Sequence, residues 1–520
     1  MTSPMPGPAP WRLAPRAIAV RLFLTCWLVF GLHFATNTVR EIFLALAIGD
    51  HFSFRVDEYA KMHPDLFEKP GYGWHIGANP GGSMVAALPY ALARPVIDRV
   101  VERVNRQRAV SGRAEPPGYQ SPWPMARAFY AEAWRRGFDV KFGLAAFVMQ
   151  FLAMAPSTAL GVVAMFFALR QIFASDRTAL WLSLLYAFGT PVFFRTGYLN
   201  HNLMLGHIVF LGFLVLWNPS RAAWPNETTR YAIAGLSGGL AILFDYSGVV
   251  LAAGLFFYGL VRAMLRAGGR GLVHNAAWYV AGGVPPILLL WLYQWRSFGH
   301  PFYPGQHWMP PVEWIEVGYQ GVKGPQLDLL TALAFDYRFG LFVASPLMLL
   351  GLLAPFVDRG PERRLPVVET VLVLGSTLAL WFFFSGVQYT RLQFNTGIRY
   401  LAPIFPFLFL PTAVVLARLP RRVIYFVALL SVLQSWAHAM YRDVERGLGM
   451  LEPILRVLSG GFQLPALSVL ARMGGQYGDY FAQGVSPLPL FALTAAIIFG
   501  IWAPWLDKGR QLMSSSVRGG

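Results

Sequence analysis

Apolar residues run through this chain in long stretches, separated by polar segments in which arginine recurs. "FGLAAFVMQFLAMAPSTALGVVAMFFAL", "NLMLGHIVFLGFLVLW", "FGLFVASPLMLLGLLAPFV" and "FALTAAIIFGIWAPWL" are examples. A helix needs about 20 mostly apolar residues to cross the hydrocarbon layer, and only a helix or a closed barrel satisfies its backbone there. The runs predict helices near 17–35, 143–169, 178–194, 202–217, 231–244, 247–265, 275–295, 339–357, 366–385, 400–417, 422–440 and 487–505. The expected fold class is therefore an all-α polytopic membrane protein with about twelve transmembrane helices.

Arginines near the ends of the runs set an orientation, because short cytoplasmic loops retain them. Arg12, Arg16 and Arg21 lie by the first run, Arg170 and Arg177 after the second, and Arg262, Arg266 and Arg270 after the sixth. Arg359, Arg363 and Arg364 follow the eighth, and Arg418, Arg421 and Arg422 the tenth. These are alternate loops, so both termini come out cytoplasmic and the first run is a retained anchor. The segments 36–142, 296–338, 386–399 and 441–486 are left outside. Within the first, Val96, Ile97, Val100, Val101 and Val104 repeat at helical spacing between Arg99, Arg103 and Arg106. That pattern predicts an amphipathic helix over 96–108 lying flat on the membrane; the rival is that 81–97 crosses it. No linker or internal repeat divides the chain. The expected organisation is a cytoplasmic tail over 1–16, a transmembrane catalytic domain over 17–440, and over 441–520 an external loop, a last span and a cytoplasmic tail.

Composition agrees with the pattern. Of 520 residues 55% are hydrophobic and only 13% charged, too few to cover a water-exposed surface. The net charge of +17 is scattered through loops between spans, which points to membrane orientation and anionic lipid rather than nucleic acid. The single cysteine, Cys26, lies inside the first run and leaves no intrachain disulfide and no cysteine metal site. "NETT" at 226 matches a glycosylation sequon, but the loop is expected to be cytoplasmic.

Ionisable groups at membrane depth are costly and face a cavity or a partner. Asp245 interrupts "GLAILFDYSGVVLAAGLFFYGL", between the fifth and sixth runs. At the same outer level "FFRTGYLNHN" carries Arg195, His201 and Asn202, and "YTRLQFNTGIRYLAPIFPF" carries Arg391 and Arg399. The first external segment adds Glu41, Asp50, Asp57, Glu58 and Asp65. Glu41 stands apart because it opens the apolar run "EIFLALAI". No cluster at tight metal-ligand spacing appears, and no metal is expected.

A first span followed by an acidic loop and "GYGWHIGANPGGSMVAALPYALARP" resembles the C class of membrane glycosyltransferases, in its protein O-mannosyltransferase-like and aminoarabinose-transferase-like branch. "GLAILFDYSGVVLAAGLFFYGL", "YQWRSFGHPFYPG", "GLFVASPLMLLGLLAPF" and "NTGIRYLAPIFPFLFLP" follow in the same order, so the resemblance covers about 36–417. It implies a transferase of the inner (plasma) membrane that takes a sugar from a polyprenyl-phosphate carrier. The acceptor would be an envelope glycan, lipid or protein on the external face, and no cofactor is needed beyond the lipid-linked donor. Two departures stand out: Thr36, Asn37 and Thr38 occupy the place of an acidic pair, and "GANPG" replaces "DKAPG". Glycosyl transfer to a hydroxyl needs a carboxylate to take a proton and cations to hold phosphate. On the resemblance, Glu41 or Asp57 is the base. Arg399, Arg391, His201 and Arg195 hold the phosphate together with Asn79 of "GANPG", and Asp245 orients a cation or bonds a sugar hydroxyl. The aromatic segment "QHWMPPVEW" suits sugar stacking or an interfacial belt equally. A transporter or lipid flippase, or a polymerase or ligase of surface polysaccharide, remains the alternative; paired inverted repeats, which transporters tend to show, are not evident.

Overall fold

The structure, a computed structural model, describes residues 14–35, 39–111, 124–218, 226–267, 271–391, 398–441, 449–472 and 485–517. Thr36, Asn37 and Thr38, most of the 1–16 tail and much of the 441–486 segment lie outside the described residues. The chain is an all-α polytopic membrane protein that, among the described residues, carries one small β-hairpin.

Helix α1 (Pro15–Leu32) leads to α2 (Arg40–His51), whose residues Ile42 to Ala47 are all buried. Strands β1 (Leu66–Lys69) and β2 (Gly73–Ile76) pair antiparallel, with Leu66 opposite Ile76. Their turn uses Gly71 and Gly73 at positive φ, a region open to glycine without strain. Helix α3 (Gly81–Val110) runs 30 residues through Pro89 and Pro95, so the stretch 96–108 is the second half of a longer helix. That helix is not among those apolar enough to cross a membrane. A short α4 (Pro124–Arg135) precedes α5 (Asp139–Met149), which passes through a π turn at Gln150–Met154 into α6 (Ala155–Ile172).

Next come α7 (Asp176–Phe188), α8 (Val192–Arg195), α9 (His201–Trp217), α10 (Glu227–Phe244), α11 (Gly248–Ala267) and α12 (Leu272–Phe298). Helices continue at Val367–Ser385, Phe405–Leu416, Arg421–Met440 and Leu488–Val517. Each expected run thus has a helical counterpart. Among the described residues six helices are long and apolar enough to span, and four shorter apolar ones accompany them.

Two expected spans are broken. The run 178–194 ends as a regular helix at Phe188, because Gly189 and Pro191 interrupt it before the single turn of α8. The run 339–357 is a chain of short helical turns around Pro346 and Pro355. Glycines make close helix contacts elsewhere: α10 meets α12 where a Cβ on Gly235 would collide with the carbonyl oxygen of Tyr279.

Candidate active site

Helix ends converge on one buried polar centre. Glu41 sits in the first turn of α2, and His201 is the first residue of α9, behind the N-cap Asn200. Asp245 occupies the break between α10 and α11, in extended conformation. His201 joins the two carboxylates, with Nδ1 3.0 Å from Glu41 Oε1 and Nε2 3.4 Å from Asp245 Oδ2. Arg40 reaches Glu41 Oε1 at 3.5 Å and donates from Nη1 to Asp65 Oδ2 at 2.7 Å.

The segment after the hairpin fastens this arrangement. Asn79 donates from Nδ2 to the Ile242 carbonyl at 2.7 Å, just before Asp245, and Ser83 Oγ donates to the Glu41 carbonyl at 2.8 Å. Gly82 lies so near that a Cβ there would fall 3.2 Å from His201 Cβ. The "GANPGGS" stretch is therefore a clamp between α2, α9 and α10.

Burial and charge set the state of these groups. Burial pushes the Glu41 carboxyl up, but His201, Arg40 and Arg399 outweigh it and hold it below the usual carboxylate range. Burial likewise raises Asp65, and Arg40, His63 and Arg399 bring it below its ordinary value. Asp245 is also held low: burial raises it, and His201 and Ser247 outweigh that, the Ser247 amide donating to Oδ1 at 2.8 Å. Burial lowers Arg40, yet Asp65 and Glu41 outweigh it and keep the guanidinium charged.

Arg195 is 1% exposed at the end of α8; its guanidinium hydrogen-bonds Tyr198, and among the described residues its Nε and Nη2 have no hydrogen-bond partner. Its guanidinium lies 5.3 Å from the Tyr198 ring, and its electrostatic neighbours include Arg399 and Tyr400. The π turn supports this segment, since Gln150 Nε2 donates to the carbonyls of Phe30 and Thr196 at 2.9 and 3.0 Å. Arg399 stacks near Tyr400 at 5.1 Å and acts electrostatically on Glu41 and Arg40. The Tyr400 and Tyr389 rings lie 5.6 Å apart.

The centre thus gathers Glu41, His201, Asp245, Arg195, Arg399 and Asn79. Two other candidates lie elsewhere. Asp57 accepts from the Trp74 amide at 2.7 Å and pairs with Arg55 at 2.7 Å, on the exposed side of the hairpin. Arg391 pairs with Asp328 at 2.6 Å in an exposed position. Arg40, His63 and the tyrosines join the centre without having been singled out by the sequence; Arg40 precedes Glu41 directly.

Asp50, His51 and Glu58 present ligand atoms within 4.8 Å of one another. However, Asp50 already accepts from Tyr90 at 2.8 Å, Lys141 at 2.7 Å and Tyr59 at 3.4 Å, and pairs with Arg94 at 3.3 Å. It is a hub locking α2 to α3 and α5.

A buried carboxylate–imidazole–carboxylate chain beside unfilled guanidinium donors can bind an anion and take a proton within the same centre. Two crystal structures of ArnT from Cupriavidus metallidurans are similar to the chain. The one bound to undecaprenyl phosphate is 13% identical with a TM-score of 0.48, over 96% of this chain and 79% of that one. The apo structure is 15% identical with a TM-score of 0.47, over 95% of this chain and 72% of that one. No family model and no curated protein matches the chain.

Proposed function

We propose that this protein is a membrane glycosyltransferase of the C class, moving a sugar from a polyprenyl-phosphate carrier to an acceptor on the external face of the inner membrane. In this reading both termini are cytoplasmic, and the acceptor is an envelope glycan, lipid or protein. The observation that carries it is Arg195. A fully buried guanidinium with two nitrogens unfilled among the described residues is costly unless an anion completes it. Arg399 and Arg40 add positive charge at the same place, and four helix N-termini, those of α2, α3, α9 and α11, meet around His201 and Asp245.

Arg195 and Arg399 hold the phosphate of the donor, with Arg40 at its edge. As the bond from the anomeric carbon to phosphate breaks, charge grows on the phosphate oxygen, and fixed guanidinium donors favour that state. Glu41, His201 and Asp245 supply the basic side, where the acceptor hydroxyl gives up its proton. A carrier that only moved an anionic lipid would use the clamp but would have no use for this second set of groups.

The test is Arg195→Met, read by binding of undecaprenyl phosphate to the purified protein and by its melting temperature. Charge-assisted hydrogen bonds contribute about 1.5–3 kcal/mol each. Affinity should therefore fall at least about tenfold. The ligand-free variant should melt no lower than wild type, because an uncompensated buried charge has been removed. A variant that binds normally but melts much lower would make Arg195 a structural residue.

A further inference from the structure

Which group receives the acceptor's proton is decided by access along the chain from Glu41 to Asp245. The side chains are 3% exposed at Glu41, 8% at His201 and 31% at Asp245. Glu41 is enclosed between His201 and Arg40, and its main-chain carbonyl accepts from Ser83 in the first turn of α3. Asp245 lies where the chain leaves α10, in extended conformation, with Oδ1 fixed by the Ser247 amide and Oδ2 turned toward His201. Of the three groups Asp245 alone presents a sizeable exposed surface to a substrate hydroxyl, whereas Glu41 lies against His201 and Arg40.

We propose that Asp245 touches the acceptor and takes the proton of its hydroxyl, with His201 and Glu41 as positioning residues behind it. This rests on the glycosyl-transfer reading above. The acceptor O–H bond breaks and its proton passes to Asp245 Oδ2. The acceptor oxygen forms a bond to the anomeric carbon while the bond from that carbon to the phosphate oxygen breaks, its electron pair leaving with the polyprenyl phosphate onto Arg195 and Arg399. Asp245 then releases the proton through its exposed side. Glu41 pairs with His201 Nδ1, which turns Nε2 toward Asp245 and fixes the rotamer of the receiving carboxylate. Asn79 anchors the Ile242 carbonyl three residues before Asp245 and holds the same break in place.

The experiment uses full-length protein reconstituted into membranes of the host strain lacking the gene, which supply native donor and acceptor. It follows the sugar-bearing product that only wild type restores, together with binding of undecaprenyl phosphate. Asp245→Asn should slow transfer about 10²- to 10⁴-fold with lipid affinity unchanged, and Asp245→Glu should recover part of the rate. Glu41→Gln should retain measurable transfer but displace its pH profile, because it removes a charge from His201. The other titratable or charged groups around that chain are Arg40, Asp65, His63, Arg399, Tyr246, Tyr389 and Tyr400, and these stay in place. Full turnover in Asp245→Asn, with transfer abolished in Glu41→Gln, would assign the proton to Glu41 and overturn the proposal. If Asp245→Asn does not fold, wild-type turnover in Asp245→Ala, which has no carboxylate, overturns it equally. Failure of the wider reading looks different, since wild type itself would then restore no sugar-bearing product.

Discussion

Arg40 and Glu41 are neighbours in the chain, and together they tie the centre to the first external segment through Asp65 and His201. The Asp65 carboxyl sits below its ordinary value, so its sign is that of a depressed acid. Its stabilisation is present above the unfolded value of about 4 and is lost as pH falls through the lower folded value. Asp65→Asn should therefore melt lower than wild type by a margin that is steady from about pH 5 to 8, starts to shrink near about pH 4 and vanishes only below the lower folded value. With 29% of the side chain exposed, the margin should be on the order of 1 kcal/mol. Thermal melts of both proteins across that range check this, and a margin that widens on acidification would contradict it. At this scale the sequence was informative where polarity interrupted an apolar run: Glu41, Arg195, His201 and Asp245 all stand out so. It could not separate Asp57 and Arg391 from them, because charge is visible in a sequence and burial is not. Their ion pairs with Arg55 and Asp328 depend on the hairpin turn and on a contact 63 residues away.

Helices were legible by length and apolarity, and their breaks were less so. Gly189, Pro191 and Pro346 sit in runs apolar enough to pass as continuous, whereas Pro89 and Pro95 stand inside a helix that continues. Proline alone does not decide, because a neighbouring element can satisfy the freed carbonyl. The closeness of the packed elements can be tested with two glycines. A Cβ at Gly81 would meet Phe244 Cδ2 at 2.6 Å and the Leu243 carbonyl oxygen at 2.9 Å, pressing on the strut that carries Asp245. Gly81→Ala should therefore depress transfer while costing about 1–3 kcal/mol or less in stability. Gly235→Ala drives a Cβ into the Tyr279 carbonyl between α10 and α12, away from the centre, and should destabilise by at least that amount. Melting temperature and transfer rate measured together separate the two. Equal loss of both in both variants would contradict the separation of packing from site.

For the whole molecule, the residues that meet in the centre come from segments that the arginine pattern puts on one face: 36–142, the turns at 195–201 and 245–246, and 386–399. Cysteine labelling tests that sidedness in a Cys26→Ala background, Cys26 being fully buried. Ser111→Cys and Glu362→Cys are both exposed positions and should react from opposite sides of sealed vesicles; reaction from the same side would overturn the orientation. A chain that unloads a sugar from a polyprenyl phosphate leaves its mark on the envelope, which mass spectrometry of lipids and glycans with and without the gene reads out. Loss of the gene should remove one sugar from one class of envelope acceptor and leave a polyprenyl-phosphate-linked sugar accumulating, with both changes reversed by wild type and not by Arg195→Met. Identical acceptors and identical carrier lipids in the two strains, under conditions in which the protein is made, would contradict it.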